Sequence, residues 1–240
     1  MAILNVNTVY QTVLMILNKE QRGYMTPTEF NTVATQVQLE IFEKYFDDLN
    51  QQLRIPQADT DYADRQENID EKIAIFKTVG DATLVANTDY FSLPTIDSYG
   101  KIREFYRLGN VLYNEEKVVQ RLDRREFYYA NQSRLTKPST INPAYLYENQ
   151  KLFIKPSTIV DKIKVDYIRK PNDVVWGFVP GSLGQYEHQD DLSTNFQLHI
   201  SEQTEVVLKI LLYAGIIIRD PQIVQAAASQ VQADEVNKKS

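Results

Sequence analysis

Cysteine is absent from these 240 residues. Disulfides, thiolate metal sites and cysteine nucleophiles are thereby excluded, and nothing in the chain requires an oxidising compartment. Histidine is scarce, with 2 residues, and there are only 8 Gly and 1 Trp. No glycine-rich loop cradles a phosphate, and no pair of titratable groups has the spacing of a catalytic motif. Positive charge is also in short supply: 26 Lys and Arg face 32 Asp and Glu, a formal net charge of -6. Proteins that clamp a phosphate backbone are normally basic, so DNA is expected to pass without being tightly bound. The most apolar run, Val206 to Ile218, contains Lys209 and is too short to cross a bilayer. The first residues, Met1 to Val6, have neither a basic segment nor a long apolar core, so no signal peptide and no membrane partner are expected.

What the chain has in abundance is tyrosine, 15 residues, with 10 Phe beside them. A tyrosine ring buries area while its hydroxyl stays bonded, which suits half-wet contact surfaces. The same residues also favour strands.

The N-terminal part reads as helix. Val6, Val9, Tyr10, Val13, Leu14 and Leu17 recur at three- and four-residue spacing behind Asn7 or Thr8 as caps, and Gly23 can close the helix. Thr26-Pro27-Thr28-Glu29 is a capping box with proline at the first helical position. The helix it starts should cover 27–54, with an apolar stripe from Phe30 to Leu53, and Ile55-Pro56 should stop it. Asp59, Asp61, Asp64, Glu67 and Asp70 follow. A calcium loop would need a central glycine that is missing here, so the segment reads as a solvated loop leading into a third helix that ends near Thr78.

From Ala82 the period changes to two. Strands are expected at 82–86, 89–94 and 101–108, with Gly109-Asn110 as a tight hairpin before Val111-Leu112-Tyr113. Residues 121–130 form a short amphipathic helix, whose Arg121, Arg124 and Arg125 are offset by Asp123 and Glu126. The clearest strands lie between Ala144 and Pro171. Tyr145 and Tyr147 share one face, Glu148-Asn149-Gln150 turns the chain, and Leu152 and Ile154 continue it. Ile163, Val165, Tyr167 and Arg169 then alternate with Lys162, Lys164, Asp166 and Ile168.

The segment from Pro171 to Asp191 holds Trp176, Phe178, Tyr186 and the glycines 177, 181 and 184, and reads as a long loop, of which Trp176 to Asp191 is expected to be a docking arm. His188 with Asp190 and Asp191 is too loosely spaced to read as a metal site, and His199 reads as structural. Ser201 to Glu205 opens another helix. Val206 to Ile218 is apolar nearly all round, so neighbouring helices or a second subunit should cover it, Ile217 included. Asp220-Pro221 begins a last helix.

The fold class is therefore α+β: a helical bundle of the N- and C-terminal helices with an inserted antiparallel β-rich subdomain. Residues 1–80 with 195–240 form the bundle, and 81–194 form the insert with a long loop near 172–194, in one structural unit. The interface candidates are Trp176, Phe178, Tyr186, Tyr145, Tyr147 and Tyr167. No catalytic, cofactor-binding or metal-binding residue is assigned.

Across nearly its whole length this pattern resembles the head-to-tail connector proteins of short-tailed bacteriophages, crAss-like phages among them. The matching stretches are Tyr90 to Pro94, Pro143-Ala144-Tyr145 leading to Leu152 through Pro156, Val165 to Pro171, and the helix break from Tyr213 to Pro221. The resemblance implies a virion protein assembled in the host cytoplasm. It would be a dodecameric ring subunit that docks on the portal and neighbouring tail proteins and surrounds the exit channel of the genome. A tail accessory or receptor-binding protein is the alternative, and a hydrolase using His188 or His199 is the least favoured.

Overall fold

The computed structural model describes residues 4–19, 25–52, 60–97, 100, 102–182, 185–218, 225 and 228–233, without the side chains of 19, 51, 52, 60–66 and 216–218. Gly23, Ile55-Pro56, Asp59, Gly184 and Asp220-Pro221 lie outside the described residues, as do the side chains of Asp61, Asp64 and Ile217. The chain is mixed α+β and divides into two compact units. One is Met1–Ile75 with Pro171–Ser240; the other is Phe76–Lys170.

The first unit begins with α1 (Val6–Lys19), α2 (Pro27–Gln52) and α3 (Thr60–Ala74). Asn5, rather than Asn7 or Thr8, caps α1. Its Oδ1 accepts from the backbone N–H groups of Asn7 and Thr8 at 2.8 and 3.1 Å. The two later residues are already inside the first turn, where their own N–H groups need an acceptor. At α2 the capping box is reciprocal. Thr26 N–H donates to Glu29 Oε2 at 2.8 Å, and Glu29 N–H donates to Thr26 Oγ1 at 3.3 Å. In the apolar stripe of α2, Phe30, Val37, Ile41 and Phe42 are fully buried, Leu49 is half-buried, and Leu53 lies outside the described residues.

The second unit holds eight strands: β1 (Lys77–Leu84), β2 (Phe91–Ser92), β3 (Phe105–Tyr113), β4 (Lys117–Val118), β5 (Gln120–Arg121), β6 (Ala144–Glu148), β7 (Lys151–Lys155) and β8 (Ile163–Arg169). The helix α4 (Arg124–Gln132) lies between β5 and β6. Their order in the sheet is β4-β3-β8-β1-β2-β7-β6-β5, antiparallel except for the β5–β6 pair. The two ends of that order are separated by one residue, Val119. Its N–H donates to Val111 at 2.8 Å, and the next N–H, of Gln120, donates to Pro143 at 2.9 Å. One short stretch of chain thus joins both edges, and the sheet curls into a nearly closed barrel, which removes long free edges. Val111, Val119, Tyr145, Leu152, Ile163, Val165 and Tyr167 fill it.

β6 and β7 are joined at Asn149-Gln150, both at positive φ, and the side chains of β8 alternate buried and half-buried from Ile163 to Arg169. These match the period-two reading. Three other expectations need correction. Gly109-Asn110 is not a hairpin turn but a bulge inside β3, where the register against β8 shifts between Leu108 and Val111. A Cβ on Gly109 would meet the carbonyl oxygen of Asp166 at 2.9 Å, so glycine is needed for close backbone approach rather than for a turn. The reversal comes later, at Asn114 and Glu115, both at positive φ. The third helix ends at Ala74, before Thr78. β1 begins at Lys77, ahead of the expected Ala82, because its first residues pair with β8.

The chain returns to the first unit at Pro171, so residues 171–194 group with the helices rather than with the strand-rich insert. The cause is a ladder on α2. Asn31 accepts from Trp176 N–H at 2.7 Å, Thr35 accepts from Val174 N–H at 3.0 Å, and Gln38 donates to Asn172 O at 2.7 Å. Three or four helical residues rise about 5–6 Å, and two extended residues about 6.6 Å. Polar side chains at 31, 35 and 38 therefore match every second residue of the passing chain. A short hairpin, β9 (Phe178–Pro180) with β10 (Tyr186–His188), and the helix α5 (Gln203–Ile218) complete this unit, with further helical residues at 225 and 228–233. α5 contacts α1 and α2, and α2 contacts α3. Val206, Ile210 and Ala214 are fully buried, whereas Leu208 and Leu212 are half-buried.

Candidate functional site

The expected docking arm is anchored, and its tryptophan is interior. Trp176 is 4% exposed. Its indole N–H donates to Asn7 Oδ1 at 3.1 Å, and its ring lies 4.3 Å from Tyr10, 5.2 Å from His188 and 6.0 Å from Phe178. Phe178 is half-buried and meets Tyr186 edge-on at 4.9 Å. Tyr186 is the exposed member, at 42%. It borders a groove of about 570 Å³ lined also by Asn7, Gln11, Leu14 and Gln185.

The three barrel candidates separate in the same way. Tyr145 and Tyr167 are buried core residues, and burial pushes both phenols up. The Tyr167 ring stacks on Phe105 at 5.5 Å, and among the described residues its hydroxyl has no hydrogen-bond partner. Tyr147 is half-buried beneath the Arg121 guanidinium, 5.9 Å from the ring centre. Of the six aromatic candidates, Tyr186, Phe178 and Tyr147 therefore have surface to offer a partner. Trp176 is buried within the helical unit, and Tyr145 and Tyr167 within the barrel, where alternation places a large ring on the inner face as readily as on the outer one.

Several titratable groups make contacts within the fold. His188 Nε2 lies 2.9 Å from Asp190 Oδ1 and its Nδ1 3.2 Å from Gly177 O. Among the described residues no three His, Cys, Asp or Glu side chains gather as a metal site. His199 caps the 3-10 turn Ile200–Glu202, accepting from Ser201 N–H. In the helical unit Lys44 pairs with Glu205 at 3.1 Å, Lys209 with Glu40 at 3.4 Å, and Lys72 with Glu202. Glu40 also accepts from the Tyr213 hydroxyl. That bond, ahead of burial and the carboxylate's charge, holds the phenol up to about 12. In the barrel Arg103 pairs with Asp97 at 3.0 Å; burial, then the neighbouring Arg103, lowers the pKa of Arg169.

No protein-family model matches the chain, and no curated protein sequence does.

One property of the surface was missed in the sequence because charge was summed over the whole chain. The barrel unit, 76–170, carries 16 Lys and Arg against 11 Asp and Glu, a net of +5. The helical unit carries 10 against 21, a net of -11. The barrel's excess of cations over acids lies mostly between Arg121 and Lys155, where 7 Lys and Arg face 3 acids. Here α4 packs on β6 through the buried Phe127, beside a cleft of about 730 Å³. Arg124, Lys137 and Lys155 line this cleft with Asp89 and Glu148, and Phe127, Leu146 and Phe153 supply apolar lining. Tyr128 lines its rim at 54% exposure, and Tyr129, 61% exposed, stands beside it with Arg125 over its ring at 5.6 Å.

Proposed function

We propose that this chain is a structural virion subunit, a ring-forming connector between the head and tail of a short-tailed bacteriophage. The observation that carries the reading is the order of building. The two ends of the chain belong to one helical unit, and the middle forms a second unit built on a nearly closed barrel. That is the order the resemblance implies. In this reading the N- and C-terminal helices form a bundle, and copies of it stand side by side around the channel. The barrel contacts the portal or the next tail component. An acidic helical unit suits a conduit, because a wall that repels phosphate does not hold the moving genome.

Electron microscopy of the purified chain in negative stain tests the proposal. Closed rings support it. Trimers point instead to an accessory or receptor-binding tail protein, and particles of single-subunit size overturn the connector reading.

A further inference from the structure

The segregation of charge within one chain specifies how neighbouring copies meet. We propose that the basic, tyrosine-rich α4 face of the barrel is a docking surface for a second copy of this chain. It receives the acidic outer face of that copy's α2–α3 pair. The inference rests on the ring reading and names the two surfaces that make the ring.

The basic face is unusual for its position. Arg124 and Arg125 occupy the first turn of α4, directly behind the capping box formed by Asp123 and Glu126. A helix N-terminus carries partial positive charge, and local physics favours carboxylates there. Two exposed arginines at that site conflict with the helix that bears them, and such conflicts mark surfaces kept for another purpose. Among the described residues of the barrel, Arg124 has a single ion pair, a 3.8 Å contact to the half-buried Glu148, of little energetic weight. The arginines are interleaved with exposed Tyr128 and Tyr129, and arginine and tyrosine are enriched where protein surfaces meet.

The complementary face belongs to the same sequence. Glu43 and Asp47 are exposed on α2, one turn apart, and Glu67 and Glu71 are exposed on α3, also one turn apart. The two helices pack on each other. A phosphate backbone would offer the same charge to the α4 face. A copy of this chain is favoured because it supplies the matching surface at one-to-one stoichiometry and carries aromatic-compatible protein surface besides, while the chain's net charge of -6 opposes nucleic acid at long range. Basic face against acidic face is a heterologous contact, which closes into a ring when the rotation between copies divides a full turn.

The test uses two triple variants of the full chain. The first is Arg124→Glu, Arg125→Glu, Lys137→Glu; the second is Glu43→Lys, Asp47→Lys, Glu71→Lys. Every site is exposed, and the first two changes improve the charge at the α4 N-terminus, so circular dichroism should match the parent. Mass photometry then follows assembly. Each variant alone presents like charges on both faces and should need at least about tenfold more protein to assemble. Mixed one to one, every contact is attractive again, and rings should return. Added salt should weaken wild-type assembly, since screening shortens to about 3 Å at 1 M. Rings from either variant alone at wild-type concentration, or no recovery on mixing, overturn the docking assignment while leaving the ring reading intact. A first variant that assembles normally but loses a duplex DNA oligonucleotide bound by wild type assigns the face to nucleic acid and overturns it too. A wild-type protein that never assembles overturns both.

Discussion

Single residues decide how much of the aromatic content is available to a partner. Trp176 sits among Tyr10, Phe178 and His188 with its N–H satisfied by Asn7, so it acts as the pin of the 171–194 segment. Trp176→Ala should cost about 3–5 kcal/mol of unfolding free energy in a urea titration; an unchanged midpoint would show that the ring is not core. The opposite effect is expected where a hydroxyl is stranded. Tyr45 and Tyr167 bury their oxygens without a hydrogen-bond partner among the described residues, so Tyr45→Phe and Tyr167→Phe should leave stability unchanged or raise it by about 1 kcal/mol. Tyr213 gives a pH dependence. Its phenol is held at about 12 in the fold, above the unfolded value near 10, so the neutral form is favoured on folding. The stabilisation is complete below pH 10 and lost as pH rises through about 12. Tyr213→Phe should flatten the fall in stability between those values, measured by denaturant titration at each pH.

At the scale of elements, what could be read from the sequence depended on whether the physical cause was local. The α2 capping box and the alternation from Ile163 to Arg169 are local patterns, and both appear as read. Gly109-Asn110 is equally local but ambiguous. The same dipeptide serves a two-residue turn or a bulge, and only the approach of the Asp166 carbonyl across β8 selects the bulge. Gly109→Ala should therefore destabilise the barrel by about 1–3 kcal/mol, whereas a turn glycine exposed to solvent would tolerate more. The α2 ladder was invisible for another reason. Asn31, Thr35 and Gln38 look like ordinary polar helix positions until the chain from Asn172 to Trp176 lies against them. Gln38 also accepts from Gln197 N–H at 2.7 Å. Gln38→Leu leaves two backbone groups without that partner and should cost about 2–4 kcal/mol, read as a lowered urea midpoint. The barrel's closure through Val119 and the burial of Trp176, Tyr145 and Tyr167 are non-local in the same sense: alternation assigns a ring to a face, but the path of the chain decides which face is covered.

For the whole molecule, the net charge of -6 conceals a barrel of +5 and a helical unit of -11, and the division becomes visible only once the structure sets the boundaries at 75/76 and 170/171. That division links the two proposals. The acidic unit suits the wall of a channel, and the basic face of the barrel suits the neighbour's acid. Cryo-electron microscopy of the purified, assembled chain tests both at once. The expected reconstruction is a closed ring whose channel is lined by the helical units, with α4 of each copy against the next subunit. A protein that stays at 27.8 kDa under all conditions, or a ring whose channel is lined by the basic barrels, would contradict the connector reading.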